Sequence, residues 1–311
     1  MDKGFLLIDG NHVGHAVNSM RPMNVGEQPT QAIYGFVRSL RPSVSMYQSL
    51  MTPMVLWDGR SWRYDHFTPY KASRGKVAVT KSDLVAQKAR DEYALQVAHI
   101  KEAIRLLGIC QIQAANLEAD DLAGLMVKRY QGQRRVLLVT GDKDWIQLVG
   151  PGVAWFDPIR DQKITNSNIE EKLGVKTGEA WLDVKCLMGD TSDEIPGVGG
   201  IGEKGAIELV NAFGSVSSFT NGVLMKIIDP NTLHKKFKDL ALDEDKHIAF
   251  ARNRVLMDLR GSIVPKPKDF VRTHQPIDKE GFRDFCKRFL FSSILKEFDS
   301  WIEVFERNSH A

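Results

Sequence analysis

Phe5-Leu6-Leu7-Ile8-Asp9 is a short apolar run that ends on an acid. Runs of this kind are typical of strands buried inside a sheet. The pattern recurs at Met54–Trp57 and at Val136–Thr140, and an acid follows each run within two residues, Asp58 and Asp142 respectively. Because parallel strands bring their carboxyl ends to one edge of an open α/β sheet, we expect these three acids to lie close together.

Helical patterns lie between the predicted strands. Ser82–Leu107 and Ala119–Tyr130 both precede the third strand, which predicts an α/β fold with a central, mostly parallel sheet flanked by helices. We assign residues 1–181 to this α/β domain. After Trp181 the pattern changes to short helices separated by glycines, which predicts a helical region over residues 182–311. The predicted parts of that region are helices at Lys185–Met188, Lys204–Phe213 and Phe219–Ile228, a linker at Val264–Lys268 and a closing helix pair within Phe282–Trp301.

The bulk composition is that of a folded protein without a membrane span. Hydrophobic residues make up 43% of the 311-residue chain and charged residues 26%, and no apolar run approaches the length that crosses a bilayer. The run at Phe5 is too short for a signal peptide. Cys110, Cys186 and Cys286 have no CxxC spacing, so neither disulfides nor a zinc site is expected, and a cytoplasmic location fits best. The net charge of +3 does not by itself indicate a nucleic-acid partner.

Nine acids form the strongest chemical signal in the chain. A single acid after a strand is most often a turn or cap residue, and one or two acids at a helix start complement the helix dipole. Three acids at one helix start, joined by acids from strand ends, repel one another and need a cation. Mg²⁺ suits such crowding because it binds a few carboxylates and keeps several waters. The nine predicted metal ligands are Asp9, Asp58, Glu118, Asp120, Asp121, Asp142, Asp144, Asp190 and Asp193.

A glycine-rich stretch follows the last of these acids. Gly197 to Gly202 matches the spacing GxGxxG, but a dinucleotide-binding fingerprint should follow a strand, whereas this stretch follows a predicted helix and two acids. We interpret it as a helix-hairpin-helix turn, in which backbone amides at a helix N-terminus approach a DNA phosphate without selecting bases. A plain glycine turn between two helices is the alternative. The predicted DNA contacts are Gly197, Gly199, Gly202 and Lys204.

The stretch Ser61–Lys81 fits neither half of the chain, because it mixes aromatic residues, bases and glycine. Long irregular insertions in compact domains tend to be functional or disordered, and we interpret residues from about 61 to about 98 as an arch or lid. Lys71 and Arg74 would hold the scissile phosphate, and Tyr70 offers a ring on which an unpaired base can stack. A solvated charged face is the alternative.

At these motifs the chain resembles the 5′ nuclease family: bacteriophage 5′ exonucleases, flap endonucleases and the 5′ nuclease domain of bacterial DNA polymerase I. The shared motifs are Ile8-Asp9-Gly10, Trp57-Asp58, Tyr70–Arg74, Glu118–Asp121, Thr140–Asp144, Gly189–Asp193 and Gly197–Lys204. The resemblance implies a PIN-like fold with a helical arch and a helix-three-turn-helix region. It also implies hydrolysis of DNA at 5′ ends and 5′ flaps, with RNA-primed DNA as a further substrate, by two Mg²⁺ ions that Mn²⁺ can replace.

The resemblance also assigns roles by position. The residues that match the family's first metal cluster are Asp9, Asp58, Glu118, Asp120 and Asp121, and those that match its second are Asp142, Asp144, Asp190 and Asp193. The residues that match its bases are Lys71 and Arg74 at the foot of the arch, Lys185 ahead of the last acids and Lys204 in the hairpin. Relatives hold a K⁺ ion through hairpin carbonyls, which here would come from around Val198 and Ile201.

Two positions depart from the family pattern. Relatives usually have an arginine where this chain has Ala16, so that phosphate contact would pass to His12 or His15. Glu194 stands where asparagine is common. No polymerase domain follows the nuclease motifs, so we expect a free-standing, phage-type enzyme that acts as a monomer.

Three other functions would use the same features differently. A non-catalytic protein that binds DNA junctions would have lost metal acids, and none is missing here. An RNA-directed PIN-type nuclease would leave the hairpin and the basic arch without a role. A magnesium-dependent phosphatase for small molecules would leave the hairpin unused. Cleavage of flap DNA, single-stranded RNA and a phosphate ester, each with Mg²⁺ and with chelator, separates these hypotheses.

Overall fold

The computed structural model describes residues 3–47, 50–75 and 80–309. Its strands are β1 Gly4–Asp9, β2 Asn24–Val25, β3 Gln28–Pro29, β4 Met51–Trp57, β5 Cys110–Gln113, β6 Val136–Val139, β7 Val153–Asp157, β8 Gln162–Ile164, β9 Gly189–Asp190, β10 Ile195–Pro196 and β11 Val271–Thr273. Its α-helices are α1 Gly10–Asn18, α2 Gln31–Tyr47, α3 Arg63–His66, α4 Lys81–Leu106, α5 Ala119–Tyr130, α6 Ile169–Leu173, α7 Gly178–Met188, α8 Glu203–Phe213, α9 Val216–Leu224, α10 Lys235–Leu242, α11 Glu244–Met257, α12 Lys279–Arg288, α13 Ser292–Lys296 and α14 Phe298–Ser309. Short 3₁₀ helices lie at Ala72–Gly75, Lys143–Leu148 and Pro230–Thr232.

A seven-stranded sheet in the order β11-β5-β4-β1-β6-β7-β8 forms the centre of the α/β part. The five inner strands are parallel, and the two outer strands, β11 and β8, run antiparallel to their neighbours. β1 lies between β4 and β6, so that Ile8 pairs with both Val55 and Val139. This register brings the carboxyl ends of the three predicted strands to one edge, and the predicted fold class is confirmed.

Helices cover both faces of this sheet, which is why the inner strands are continuous apolar runs. Successive side chains of β1 point to opposite faces. Leu7 packs in a core that includes residues of α5 and α7, whereas Leu6 and Ile8 pack in a second core with residues of α1, α2 and α4. Full burial of one such leucine stabilises the fold by roughly 2 kcal/mol, so this run strongly favours a buried position at the centre of the sheet.

The structure corrects the expectation that everything after Trp181 is helical. β11 follows the predicted linker and pairs with β5 at the edge of the sheet, and α12–α14 then pack in the same core as Leu6. Three residues, Val-Arg-Thr, are too few to show a strand period in the sequence. Another difference is that α9 begins at Val216, because the Ser215 hydroxyl caps it, and not at Phe219. The division into two domains at Trp181 stays a prediction.

The predicted arch lies where α3, the Ala72–Gly75 helix and the N-terminal half of α4 are found. Thr80 caps α4 in a reciprocal pair with Asp83, and most side chains of the first three turns are exposed. Residues 76–79 of this stretch are outside the described residues.

In the part of the chain that the structure describes, no helix is long and apolar enough to cross a membrane, and all three cysteines are buried free thiols.

Candidate metal centre and nucleic-acid interface

One polar pocket of about 250 Å³ lies at the carboxyl edge of β1, β4 and β6. The start of α5, the turn after β6 and the loop between β9 and β10 complete its wall. The predicted acids that line it are Asp9, Asp58, Glu118, Asp120, Asp142, Asp144, Asp190 and Asp193. Eight of the nine predicted metal ligands therefore meet in this pocket, and we call it the metal pocket for that reason.

Hydrogen bonds hold the acids at the strand ends. Asp9 accepts the His12 backbone N–H (2.9 Å) and the Thr140 hydroxyl (3.0 Å), so it joins the start of α1 to the end of β6. Asp58 accepts the Ala119 N–H at 2.8 Å, which fixes the start of α5 against the end of β4. These bonds orient the carboxylates towards a common space, as a site for a hard cation requires.

Other bonds hold the acids on α5 and after β6. The Trp145 indole N–H donates to Asp120 at 2.7 Å. The Asp142 carboxylate caps the following 3₁₀ helix by accepting the Asp144 N–H at 2.8 Å, and the Asp142 N–H donates to the Thr140 hydroxyl at 3.0 Å. The supporting roles of Thr140 and Trp145 were not predicted, because nothing in their spacing marks them as partners of acids.

Four carboxylates in this pocket, Asp9, Asp58, Asp120 and Asp142, are destabilised in their charged form, because the pKa of each is raised. Burial, followed by repulsion from Asp58, raises the pKa of Asp9 to about 7. Burial and the neighbouring Asp144 raise the pKa of Asp142 to about 8, and burial with the Asp142 charge raises the pKa of Asp120 well above its usual range. A divalent cation would remove this penalty, so the donor set fits a metal such as Mg²⁺.

Two lysines share the pocket with the acids. Lys71 Nζ lies 2.5 Å from Glu118 Oε1 and 3.5 Å from Asp193 Oδ2. Lys185 Nζ lies 2.9 Å from Asp144 Oδ1 and 3.0 Å from Asp190 Oδ2. With the side chains in these positions, no three His, Cys, Asp or Glu residues of the described ranges surround one point as metal ligands. The ammonium groups instead bridge the acids in pairs.

Asp121 is the predicted ligand that does not line the pocket. It is fully buried and forms a salt bridge with Arg63, whose Nη2 lies 2.8 Å from Asp121 Oδ1. Its other oxygen accepts the Glu118 N–H at 3.1 Å, as in a capping box. The guanidinium also donates to Glu118 Oε2 at 3.1 Å. Asp121 thus supports Glu118 through Arg63, a residue that the sequence did not single out because it belongs to no acid motif.

Tyr70 does not present a stacking surface. Its side chain is only 1% exposed, and its hydroxyl donates to Glu118 Oε2 at 2.8 Å. The prediction that Tyr70 stacks on an unpaired base is wrong for this geometry, because packed neighbours cover the ring. Tyr70 is another support for Glu118. The side chain of Arg74 lies outside the described residues, and its predicted phosphate contact stays a prediction.

The predicted hairpin lies between α7 and α8. Gly197 is required by space, since a Cβ there would lie 2.4 Å from the Met188 carbonyl oxygen. Gly199 is required by conformation, since its φ is +85° while a Cβ would meet no atom within 4 Å. Gly202 is the N-cap of α8, and Lys204 is exposed in its first turn. This arrangement leaves backbone groups and one lysine accessible at a helix start.

The side chains of Val198 and Ile201 are buried and anchor the hairpin, while Lys246 Nζ donates to the Gly199 carbonyl at 3.1 Å. The K⁺ site at the carbonyls of Val198 and Ile201 stays a prediction. His12 and His15 both line the metal pocket, and the phosphate contact predicted for either imidazole stays a prediction.

Glu194 makes a contact that the sequence did not reveal. Its Oε1 accepts the Ser73 N–H at 2.6 Å, and the neighbouring Asp193 carbonyl accepts the Lys71 N–H at 3.1 Å. Lys71 and Glu194 both have positive φ angles, +50° and +57°, which non-glycine residues adopt rarely. The foot of the arch is therefore held tightly against the loop that carries the last acids.

Two protein-family models match the chain. "5'-3' exonuclease, N-terminal resolvase-like domain" matches residues 4–174, and "5'-3' exonuclease, C-terminal SAM fold" matches residues 176–269. The thermostable DNA polymerase I of Thermus filiformis is 32% identical over 305 residues, which are 95% of this chain and 33% of the polymerase. The 5'-3' exonuclease of Buchnera aphidicola is 28% identical over 229 residues, which are 73% of this chain and 72% of that protein. The chain thus spans about a third of the polymerases that it matches.

Solved structures share the fold. The 5'-exonuclease of bacteriophage T5 with bound zinc has a TM-score of 0.66 at 21% identity, with 97% of this chain and 99% of that chain covered. The T5 flap endonuclease in a complex with DNA and metal ions has a TM-score of 0.65 at 22% identity, with the same shares covered. At these identities the likeness concerns the fold alone.

Proposed function

Because the chain belongs to the 5'-3' exonuclease family, we propose that it is a metal-dependent nuclease that removes 5′ ends and 5′ flaps from DNA. The observation that carries the proposal is the meeting of eight carboxylates with Lys71 and Lys185 at one edge of the sheet. The T5 flap endonuclease of the same fold was solved with DNA and metal ions, which supports this substrate class.

The residues proposed to hold two Mg²⁺ ions, with Mn²⁺ as an expected substitute, fall into two groups. The groups are Asp9, Asp58, Glu118 and Asp120, and Asp142, Asp144, Asp190 and Asp193. When bound, such a pair of ions activates water and neutralises charge on the phosphate that is attacked. Asp121 stays a proposed member of the site only through its salt bridge to Arg63, since its carboxylate is turned away from the pocket.

The chain's own side chains position the phosphate. Lys71 and Lys185 bring ammonium groups into the pocket, where low exposure strengthens their attraction to a phosphate oxygen. Arg74, at the foot of the arch, is proposed to add a third positive charge. Neither lysine is a nucleophile, because each is a charged donor beside carboxylates and not a free amine.

The hairpin is proposed to hold the duplex beside the cut. Gly197, Gly199 and Gly202 leave room for a phosphate at the backbone, and the exposed Lys204 adds charge. A K⁺ ion at the Val198 and Ile201 carbonyls would strengthen this grip. Such contacts read the backbone, so the position of the duplex end and not the base sequence would select the cleavage site. If the arch admits a 5′ single strand, an RNA primer at the 5′ end of a DNA strand would also be a substrate.

The test is cleavage of a 5′-end-labelled flap DNA by the monomeric chain, with Mg²⁺ and with chelator. We expect short 5′ products with Mg²⁺ or Mn²⁺, none with chelator, and a loss of at least about a hundredfold in Asp142→Asn, whose flap binding remains. Single-stranded RNA and a simple phosphate ester serve as parallel substrates. Binding without cleavage under all conditions would favour a junction-binding protein. Preference for RNA would favour a PIN-type RNA nuclease, and preference for the ester would favour a phosphatase.

A further inference from the structure

A second pocket, of about 300 Å³, lies between the C-terminal half of α4, the edge strand β11 and its neighbour β5. Trp57, Lys101, Arg105, Gln113 and Thr273 are among the residues that line it, and none of its lining residues lines the metal pocket. The proposed nuclease function gives this pocket no role. Its volume is at the lower end of the range of small-ligand sites.

Two cations of this pocket have neutral hydrogen-bond partners in the described part of the chain. Lys101 and Arg105 are one helical turn apart on the same side of α4. Lys101 Nζ donates to Gln113 Oε1 at 2.9 Å and lies 4.9 Å from the centre of the Trp57 ring. Arg105 Nη1 donates to Gln275 Oε1 at 2.7 Å. These partners are amide oxygens and a ring face, so neither positive charge has a salt bridge among the described residues.

The one acid that lines this pocket is already engaged. Glu102 accepts a hydrogen bond from Arg288 at 2.6 Å, and its Oε2 lies 3.5 Å from His99 Nδ1. The balance of charge around the cavity is therefore positive. A half-buried ammonium group such as that of Lys101 is destabilised by the loss of water, and its pKa is lowered for that reason. Asp58 is the acid whose charge acts on Lys101, and a bound anion would add a counter-charge inside the pocket.

We infer that this pocket binds a phosphate group, which the Lys101 ammonium and the Arg105 guanidinium would hold together. A guanidinium and an ammonium one helical turn apart, with Thr273 on the pocket wall, match the acceptor oxygens of a phosphate. A free mononucleotide and the backbone of a DNA strand both present this chemistry.

The pocket is connected to the metal centre by one side chain. Gln113 accepts from Lys101 through Oε1 and donates through Nε2 to the Asp58 carbonyl at 2.7 Å. A phosphate that binds Lys101 would therefore change the hydrogen bonds of Gln113, whose side chain contacts the backbone carbonyl of Asp58. Phosphate binding at Lys101 does not depend on cleavage, because it can be measured without metal.

The experiment is isothermal titration of the full chain in chelator with inorganic phosphate, with thymidine monophosphate and with a single-stranded oligonucleotide. The variants are Lys101→Met and Arg105→Gln, and the matched controls outside the arch are Lys296→Met on α13 and Arg129→Gln on α5, whose side chains are exposed. We expect each pocket variant to weaken phosphate binding about tenfold and the controls to bind as the wild type does. Circular dichroism confirms that each variant is folded.

The three probes separate the two sources of phosphate. If the monophosphate binds more tightly than the oligonucleotide per phosphate and loses affinity in both pocket variants, the site takes free nucleotides. If the oligonucleotide binds more tightly and shows the same loss, the site holds a DNA strand. Equal affinity of folded wild type, Lys101→Met and Arg105→Gln for all three probes would overturn the inference, as would an equal loss in the control variants.

Discussion

Asp120 and Asp121 are adjacent carboxylates with different surroundings. Neighbouring residues of a helix point about 100° apart, so only one of the two can face the pocket. Asp120 lines the pocket and accepts from Trp145, whereas Asp121 is fully buried against Arg63. The sequence could predict that acids gather at this helix start, but the direction of each side chain depends on packing that only the fold supplies.

This difference predicts opposite effects of two isosteric substitutions. Asp120→Asn should reduce flap cleavage by about a hundredfold or more while the free energy of unfolding stays near or above that of the wild type, because a repelled charge is removed. Asp121→Asn should lower the free energy of unfolding by about 3 kcal/mol, because Arg63 then keeps a charge inside the protein with a weaker partner. Urea unfolding and flap cleavage below the melting range measure both quantities. An Asp121→Asn variant of normal stability and no activity would contradict the assignment.

The raised pKa values of Asp9 and Asp142 predict how metal and pH act together. In the metal-free fold these pKa values are about 7 and about 8, above the ordinary aspartate value, so the folded protein binds more protons than the unfolded chain. The contribution of these groups to stability is therefore greatest in acid and falls as the pH rises from about 4 to about 8. Mg²⁺ competes with those protons and removes the repulsion.

We therefore expect Mg²⁺ to raise the melting temperature more at a pH of about 8.5 than at a pH of about 5.5. Thermal unfolding with Mg²⁺ and with chelator at both pH values measures the effect. The variant Asp142→Asn should show a smaller difference, because one of the groups with a raised pKa is gone. A larger shift in acid than in base would contradict the proposed metal site.

At the level of secondary structure, the strands that were predicted carry an uninterrupted apolar run followed by a predicted metal ligand. β1, β4 and β6 have such a run, and α5 has the predicted bounds Ala119–Tyr130, whereas β5 and β7 were not predicted although they are at least as long as β6. β11 was missed because three residues at a sheet edge carry no period, and its position depends on pairing with β5, a contact distant in sequence. The hairpin was identified because glycine has few substitutes at a tight approach or at positive φ.

The hairpin glycines predict a graded loss of stability. Gly199→Ala should cost about 1 kcal/mol, since only the backbone conformation opposes it, and Gly132→Ala, with φ +80° and equally open surroundings, is the matched control. Gly197→Ala should cost about 2 kcal/mol or more, because the new Cβ would lie 2.4 Å from the Met188 carbonyl oxygen. Urea unfolding gives the three values. Equal costs at Gly197 and Gly199 would show that the close approach to α7 is not maintained in solution.

Across the whole molecule, the metal pocket is the place where the sheet and the helical region meet. The sheet supplies Asp9, Asp58 and Asp142, and the loop after α7 supplies Asp190 and Asp193. The foot of the arch is bonded to this same loop, so the element proposed to admit the 5′ strand is coupled to the second group of acids. The sequence shows which acids exist, but the contact among the sheet, the loop after α7 and the foot of the arch arises from long-range packing.

The bond between Glu194 and Ser73 tests whether the arch depends on that loop. Glu194→Ala removes the acceptor of the Ser73 N–H, which is 2.6 Å from Oε1, so amide hydrogen exchange in residues 71–75 should become faster. Glu194→Gln keeps an oxygen at the same place and should exchange much as the wild type does. Glu203→Ala, an exposed acid at the start of α8, is the control.

Mass spectrometry of the exchanged peptides measures this effect without any substrate. We also expect Glu194→Ala to lower the rate of flap cleavage more than its affinity for duplex DNA, because the hairpin contacts remain while the arch foot and Lys71 are held less firmly against Asp193. Unchanged exchange in residues 71–75 together with full cleavage would mean that the hydrogen bond does not couple the arch to the loop, and that other contacts, such as those between Lys71 and Asp193, maintain it.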